Sequence, residues 1–279
     1  MAGRLAEAGF ALAVNDLNAE ATASFLDAHP SASATELTEL AGESELMITM
    51  LPNGSIVREV AVGPGGLFES ARPGALLVDM SSSAPHQTVE LAQLGLQHGV
   101  QVIDAPVSGG VARARDGSLS IMVAGEDEAV ERCGPVFSHL GSNVFRCGPK
   151  VGSGHAVKAL NNVLSCVGVL AAAEALTVGA KFGLDPEVML DIFNASTGRN
   201  NATENKFRQF VFSGTFASGF GLDLMVKDLE TAAELAQRVS VEAPLSDSCR
   251  ELASAALADL GAVDHTYLAD WVERRATGA

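Results

Sequence analysis

The chain has 279 residues, 47% of them apolar, with 18 basic side chains against 34 acidic ones and a net charge of −16. This is enough chain for one large or two ordinary folded domains, and too apolar for a disordered protein. The acidic balance argues against nucleic acid and against anionic membranes as partners, so an anionic metabolite could bind only where donors are concentrated locally.

The first residues, MAGRLAEAGF, read as part of a helix, with no basic stretch and apolar core of a secretory leader, so a cytoplasmic location is expected. An apolar run FALAVND (10–16) follows and ends in Asp16. Further short apolar runs are LMITMLP (46–52), ALLVDMS (75–81), VQVIDAPV (100–107), LSIMVAG (119–125) and NVFRCG (143–148). Helical patterns lie between most of them, such as AEATASFLDAH, IVREVAV and APHQTVELAQLGLQHG. Continuous apolar runs are how strands buried on both faces read, and their alternation with helices predicts an α/β, doubly wound, mostly parallel sheet. Ligands of such sheets lie beyond the carboxyl ends of the strands. Polar residues collect there: Asp16, Pro52 with Asn53, Asp79 to Ser83, and Asp104 to Gly110.

A dinucleotide-binding domain of this Rossmann type opens with a strand and a GxGxxG turn before its first helix. No such fingerprint stands at the start of this sequence, and we expect roughly 15 residues, a strand and its glycine turn, to be missing from it. Asp16 ends what would then be the second strand, where an acidic side chain takes the adenosine ribose hydroxyls of NAD. The competing reading of Asp16 is a turn residue beside Asn15 and Asn18.

After Gly154 no strand is convincing. The chain reads as helices broken at GLDPE (183–187), STGRNN (196–201) and SGTFASGFG (213–221), with Asp185 and Pro186 as a cap and first residue. This predicts a first domain over 1–151 and an all-α second domain over 152–279, joined by a long helix starting near residue 153. That helix carries GSGHAVKALNN (152–162), which sets Lys158 and Asn162 four residues apart and so on one face. A solvated face is the commoner meaning of such a pair, but residues 156–180 are almost free of charge. A helix so apolar is expected to be mostly buried. Glu174, Asn161 and Asn162 argue against a membrane span. Desolvation would lower the pKa of a lysine here and suit it to act as a base. Cys133, Cys147, Cys166 and Cys249 show no metal-like spacing and read as small buried hydrophobes, so no metal site is expected.

Several segments, in this order, resemble the β-hydroxyacid dehydrogenases, and the likeness covers nearly all of the chain. They are TMLPNGSIV (49–57), LLVDMSSSAP (76–85), DAPVSGGVARARDGSLSIMVAG (104–125), GSGHAVKALNN (152–162) and KDL (227–229). The resemblance implies that Lys158 is the general acid and base and that Asn162 holds the substrate hydroxyl or the lysine in register. It implies that Ser108, Gly109 and Gly110 grip the substrate carboxylate. Leu51, Pro52 and Ile56 would line the nicotinamide end, with Ser82 and Lys227 as further cofactor contacts. A homodimer or homotetramer acting on a small carboxylate is implied as well. Members using NADP often carry Asn-Arg-Thr after the second strand, whereas this chain has Asp16-Leu17-Asn18, so NAD is expected over NADP. Arg199, Asn200 and Asn201 read either as contacts to the far end of the substrate or as a solvated loop. Two alternatives stand beside the dehydrogenase: a non-catalytic or cofactor-deficient member of the fold, suggested by the missing fingerprint, and an imine reductase, against which Lys158 argues.

Overall fold

Leu76, Leu77 and Val78 are completely buried, and alternation along the strand they form sends Leu76 and Val78 into one core and Leu77 into another. A strand buried on both faces is what the apolar run predicts. The structure, a computed structural model, describes residues 1–278. Its chain divides into two units, Met1–Lys158 and Ala159–Ala279.

The first unit contains strands β1 (Ala13–Val14), β2 (Ser33–Ala34), β3 (Leu46–Thr49), β4 (Leu76–Asp79), β5 (Gln101–Asp104), β6 (Val107–Ser108), β7 (Leu119–Val123) and β8 (Gly141–Arg146). Its helices are α1 (Ala2–Glu7), α2 (Ala19–Ala28), α3 (Leu37–Glu43), α4 (Gly54–Val62), α5 (Leu67–Ser70), α6 (Pro85–Gln97), α7 (Gly110–Asp116), α8 (Asp127–Arg132) and α9 (Gly134–Leu140). Strands β3, β4 and β5 pair in parallel in that order, and β7 pairs in parallel with β8 and antiparallel with β6. An isolated bridge from Asp104 to Ala124 ties β5 to the residue after β7. Helices cover both faces, with Val57, Phe68 and Leu91 in one core and Val130, Phe137 and Leu140 in the other. This is the doubly wound, Rossmann-type arrangement.

Three expectations need correction. The run at 10–16 yields only the two residues of β1, because its one partner among the described strands is the equally short β2. Strand β2 escaped sequence reading since Ser33 and Ala34 are small and exposed, with no apolar signal. The run at 100–107 is two strands, broken at Pro106, which has no N–H to continue a ladder.

The second unit is helical: α10 (Ser153–Phe182) runs into it from the first, followed by α11 (Pro186–Ala195), α12 (Asn201–Asn205), a π-helical turn (Phe207–Phe212), α13 (Leu222–Arg238), α14 (Pro244–Leu260) and α15 (Tyr267–Thr277). The expected break at 183–187 forms as the sequence implies. Gly183 takes a φ of +99°, and Asp185 accepts a hydrogen bond from the Glu187 N–H at 2.8 Å with Pro186 in the first turn. Helix α10 is long and apolar enough to cross a bilayer. One of its faces forms the spine of the second core through Val163, Cys166, Leu170 and Ala173, against Leu190, Phe207, Leu222, Leu229 and Trp271. The expectation of a mostly buried helix is corrected on its other face, where Leu160, Leu164, Val178 and Phe182 are exposed. Low charge marks a helix without polar neighbours to face, which is not the same as one enclosed on all sides.

Candidate active site

The register of the central strands brings Thr49, Asp79 and Asp104 side by side at their carboxyl ends. All three are buried, and each carboxylate is fully engaged. Asp79 Oδ1 accepts from the Thr49 hydroxyl and the Ser81 N–H, each at 3.0 Å, and its Oδ2 accepts from the Ser83 hydroxyl at 2.6 Å. Asp104 turns to the start of α10, accepting from the Gly152 N–H at 2.6 Å and the His155 N–H at 2.9 Å. It therefore caps the long helix from a strand end, satisfying donors that the helix cannot. Burial pushes the Asp104 carboxyl above its usual range, while His155 and the two N–H groups work in the opposite direction.

His155 completes the joint. Its Nε2 lies 3.1 Å from the Ser81 carbonyl, which can only accept, so Nε2 carries a hydrogen. Nδ1 lies 2.8 Å from the Thr88 hydroxyl, which also reaches the Ala84 carbonyl at 3.3 Å. Gly152 takes a φ of +91°, and a Cβ on Gly154 would sit 2.1 Å from the Met122 carbonyl oxygen and 2.8 Å from Asp104 Oδ2. The helix thus meets the sheet edge at a distance that only glycine permits.

One turn further along, Lys158 is half-buried and Asn162 is buried. The Asn162 amide nitrogen donates to Asp228 Oδ2, which fixes the flip of the amide and leaves Oδ1 as an acceptor. Asp228 Oδ1 also lies 3.3 Å from Nζ of Lys227, its neighbour on α13. Gly109 and Gly110 are exposed and take φ values of +134° and +68°, a pair of conformations that L side chains rarely adopt. Ser108 ends β6 beside them, half-buried, opposite Ser120.

The expected cofactor positions fall at the ends of β1, β3 and β4. Leu51 and Ile56 are half-buried and Pro52 is exposed. The Leu51 N–H donates to Ser81 Oγ at 2.9 Å, joining the loops after β3 and β4, and Ser82 sits half-buried in the second of them. Asp16 is exposed, with Oδ1 accepting from the Asn18 N–H at 2.8 Å, while Asn18 caps α2. The turn reading of Asp16 is thus seen in the structure. No GxGxxG occurs in the 279 residues, so none of them is assigned to the pyrophosphate.

Sequence reading placed Asp104 at a strand end and His155 and Asp228 within the segments that carry the resemblance but gave none of them a role, and it missed Thr88. Their contacts could not be read, because the partners are joined across 66 or 67 residues of chain and the pairing leaves no local pattern. Of the open trio, Asn200 belongs to the fold, since its side chain caps α12 in a reciprocal box with Thr203.

A parallel sheet with acidic and hydroxyl groups at its strand ends, followed by a helical unit, is an arrangement that the comparisons with known proteins place among nicotinamide-dependent oxidoreductases. A family model described as the NAD binding domain of 6-phosphogluconate dehydrogenase matches residues 1–148, and one described as "NAD-binding of NADP-dependent 3-hydroxyisobutyrate dehydrogenase" matches residues 152–272. The chain is 40% identical over 208 residues to 2-(hydroxymethyl)glutarate dehydrogenase of Eubacterium barkeri, covering 75% of this chain and 69% of that one. It is 35% identical over 260 residues to 3-hydroxyisobutyrate dehydrogenase of Pseudomonas aeruginosa, covering 91% and 87%. The solved structure of Mycobacterium tuberculosis 3-hydroxyisobutyrate dehydrogenase with L-serine superposes with a TM-score of 0.89 at 29% identity, covering 97% and 94%. The chain belongs to the β-hydroxyacid dehydrogenase family and is an NAD(P)-dependent dehydrogenase of hydroxy acids.

Elsewhere in the second unit, His265 is 2% exposed, and burial together with the Lys206 charge pushes its pKa from 6.5 down to about 4. The folded state therefore binds fewer protons than the unfolded state between these values, and stability falls as pH drops through that window. Thermal or urea denaturation should show about 2 kcal/mol lost to this group between pH 7 and pH 5. A His265→Gln variant should flatten the slope; an unchanged slope would show that His265 is not its source.

Proposed function

We propose that the chain is an NAD-dependent dehydrogenase of small 3-hydroxy carboxylates, with Lys158 as general acid and base. The observation that carries this is the start of α10: its first turn is pinned by Asp104 and His155, and Lys158 and Asn162 follow on one face with the Asn162 amide oriented by Asp228. The bound cofactor supplies or accepts the hydride. In the oxidising direction Lys158 takes the proton from the substrate hydroxyl, and in the reducing direction it returns a proton to the carbonyl oxygen. Asn162 Oδ1 accepts from the Lys158 Nζ–H and holds the lysine toward that hydroxyl. The Gly109 and Gly110 N–H groups and the Ser108 hydroxyl receive the carboxylate, since glycines in these conformations let backbone donors approach an anion closely.

The compounds named for the three similar proteins support the substrate class. 2-(Hydroxymethyl)glutarate, 3-hydroxyisobutyrate and L-serine each carry an alcohol on the carbon next but one to a carboxylate carbon. Initial rates of NAD reduction with matched 3-hydroxy and 2-hydroxy acids test the proposal. Turnover is expected with the former, and activity confined to 2-hydroxy acids would refute it.

We assign NAD preference to Asp16, whose exposed carboxylate would repel a 2′-phosphate. An Asp16→Ser variant should lower the ratio of kcat/KM with NAD to that with NADP at least about tenfold, the equivalent of about 1.4 kcal/mol. An unchanged ratio would place the discrimination elsewhere.

A further inference from the structure

The polar face of α10 does not end at Asn162. At 100° per residue, Lys158, Asn162 and Ser165 fall within about 60° of one another around the helix. Where Ser165 stands, a second lysine arrives: Lys206, at the end of α12, donates from Nζ to Ser165 Oγ at 2.9 Å and to His265 Nε2 at 2.8 Å.

The anion that favours the Lys206 charge, Asp264, acts from a distance and makes no ion pair with it. An ammonium has only donors, so His265 Nε2 must accept, which puts the ring hydrogen on Nδ1, 3.1 Å from both the Phe220 carbonyl and Ser218 Oγ. The Ser218 hydroxyl donates to Asp264 at 2.9 Å. Asp264 ties the loop before α13 to the one before α15, accepting from the N–H groups of Gly219, Phe220 and Thr266 and from the Thr266 hydroxyl. Among the described residues no carboxylate forms an ion pair with Lys206. Its two hydrogen-bond partners are a hydroxyl and a neutral imidazole, and one ammonium hydrogen is left over. Burial disfavours the charge, lowering the Lys206 pKa, so an anion brought to this position would gain strength from the low local polarity. Lys206 is half-buried rather than enclosed.

We infer that Lys206 receives a second anionic group of the substrate, so that the preferred substrate is a 3-hydroxy acid carrying a further carboxylate. This rests on the hydroxyacid reading of Lys158 and Asn162. The rise from Asn162 to Ser165 is about 4.5 Å, which fits a spacer of two or three carbons between the reacting centre and the second carboxylate.

Steady-state kinetics with NAD on 2-(hydroxymethyl)glutarate, which has two carboxylates, and 3-hydroxyisobutyrate, which has one, test this. Wild type should prefer the diacid at least about tenfold in kcat/KM, and Lys206→Met should raise KM for the diacid about thirtyfold with little change in kcat, as expected for loss of a charge-assisted contact. The monoacid should be unaffected, and Lys206→Arg should restore most of the diacid KM. Equal losses on both acids in a variant that melts like wild type would mark Lys206 as structural and overturn the inference. If Lys206→Met does not fold, wild type decides: no preference for the diacid overturns it. Turnover of neither acid overturns the hydroxyacid reading and this inference with it.

Discussion

Replacing Lys158 with alanine is expected to leave the protein folded and to lower kcat on a short 3-hydroxy acid by about 10²- to 10⁴-fold, the usual worth of a positioned acid and base. Folding should survive because Lys158 is half-buried on a helix, where alanine is the better helix former. A thermal shift with NAD should match wild type, separating loss of chemistry from loss of binding. The arginine variant is the sharper control. Lys158→Arg keeps a positive charge near the hydroxyl, yet a guanidinium does not give up its proton near neutral pH. Both variants should therefore be slow if Lys158 moves a proton. Rescue by arginine would reduce its role to electrostatics, and wild-type turnover in the alanine variant would remove Lys158 from the reaction.

The second large effect is expected from a single methyl group. In Gly154→Ala the new Cβ would fall 2.1 Å from the Met122 carbonyl oxygen, a backbone atom held in β7 that cannot swing aside. Helix α10 would have to withdraw by about an ångström, stretching the hydrogen bonds from Gly152 and His155 to Asp104. Overpacking of this kind costs about 3 kcal/mol, and displacing a catalytic group by that distance costs about 10²-fold in rate. The two readouts should move together, as a lower melting temperature and a lower kcat with the pH dependence of kcat retained. A stable variant with normal kinetics would show that the contact between helix and sheet is not what places Lys158.

What could be read in the sequence follows from how each part is stabilised. Strands β3, β4, β5 and β7 were legible because a strand buried on both faces has nothing but apolar residues to offer, and Leu76-Leu77-Val78 is such a run. The cap at Asp185 and Pro186 was legible because its chemistry is local. Strand β2 was not, being two small exposed residues. The joint of Asp104, His155 and Thr88 was not legible either. Buried polar contacts between distant segments follow no period, so even Asp104, legible as a strand end, did not show its partners. The pair of Lys206 and His265, 59 positions apart, escaped for the same reason.

The start of α10 also bears on how glycines are read in other chains. A Gly-x-Gly leading into a helix is ordinarily taken as a cradle for phosphate. At Gly152 and Gly154 the space freed by the absent side chains is filled by the protein itself, by the Pro85 and Met122 carbonyl oxygens and the Asp104 carboxylate. Carbonyl and carboxylate oxygens already occupy the positions an anion would need. Where a histidine and then a lysine follow such glycines, the spelling describes joinery, a tenon cut narrow enough to seat a helix in a sheet.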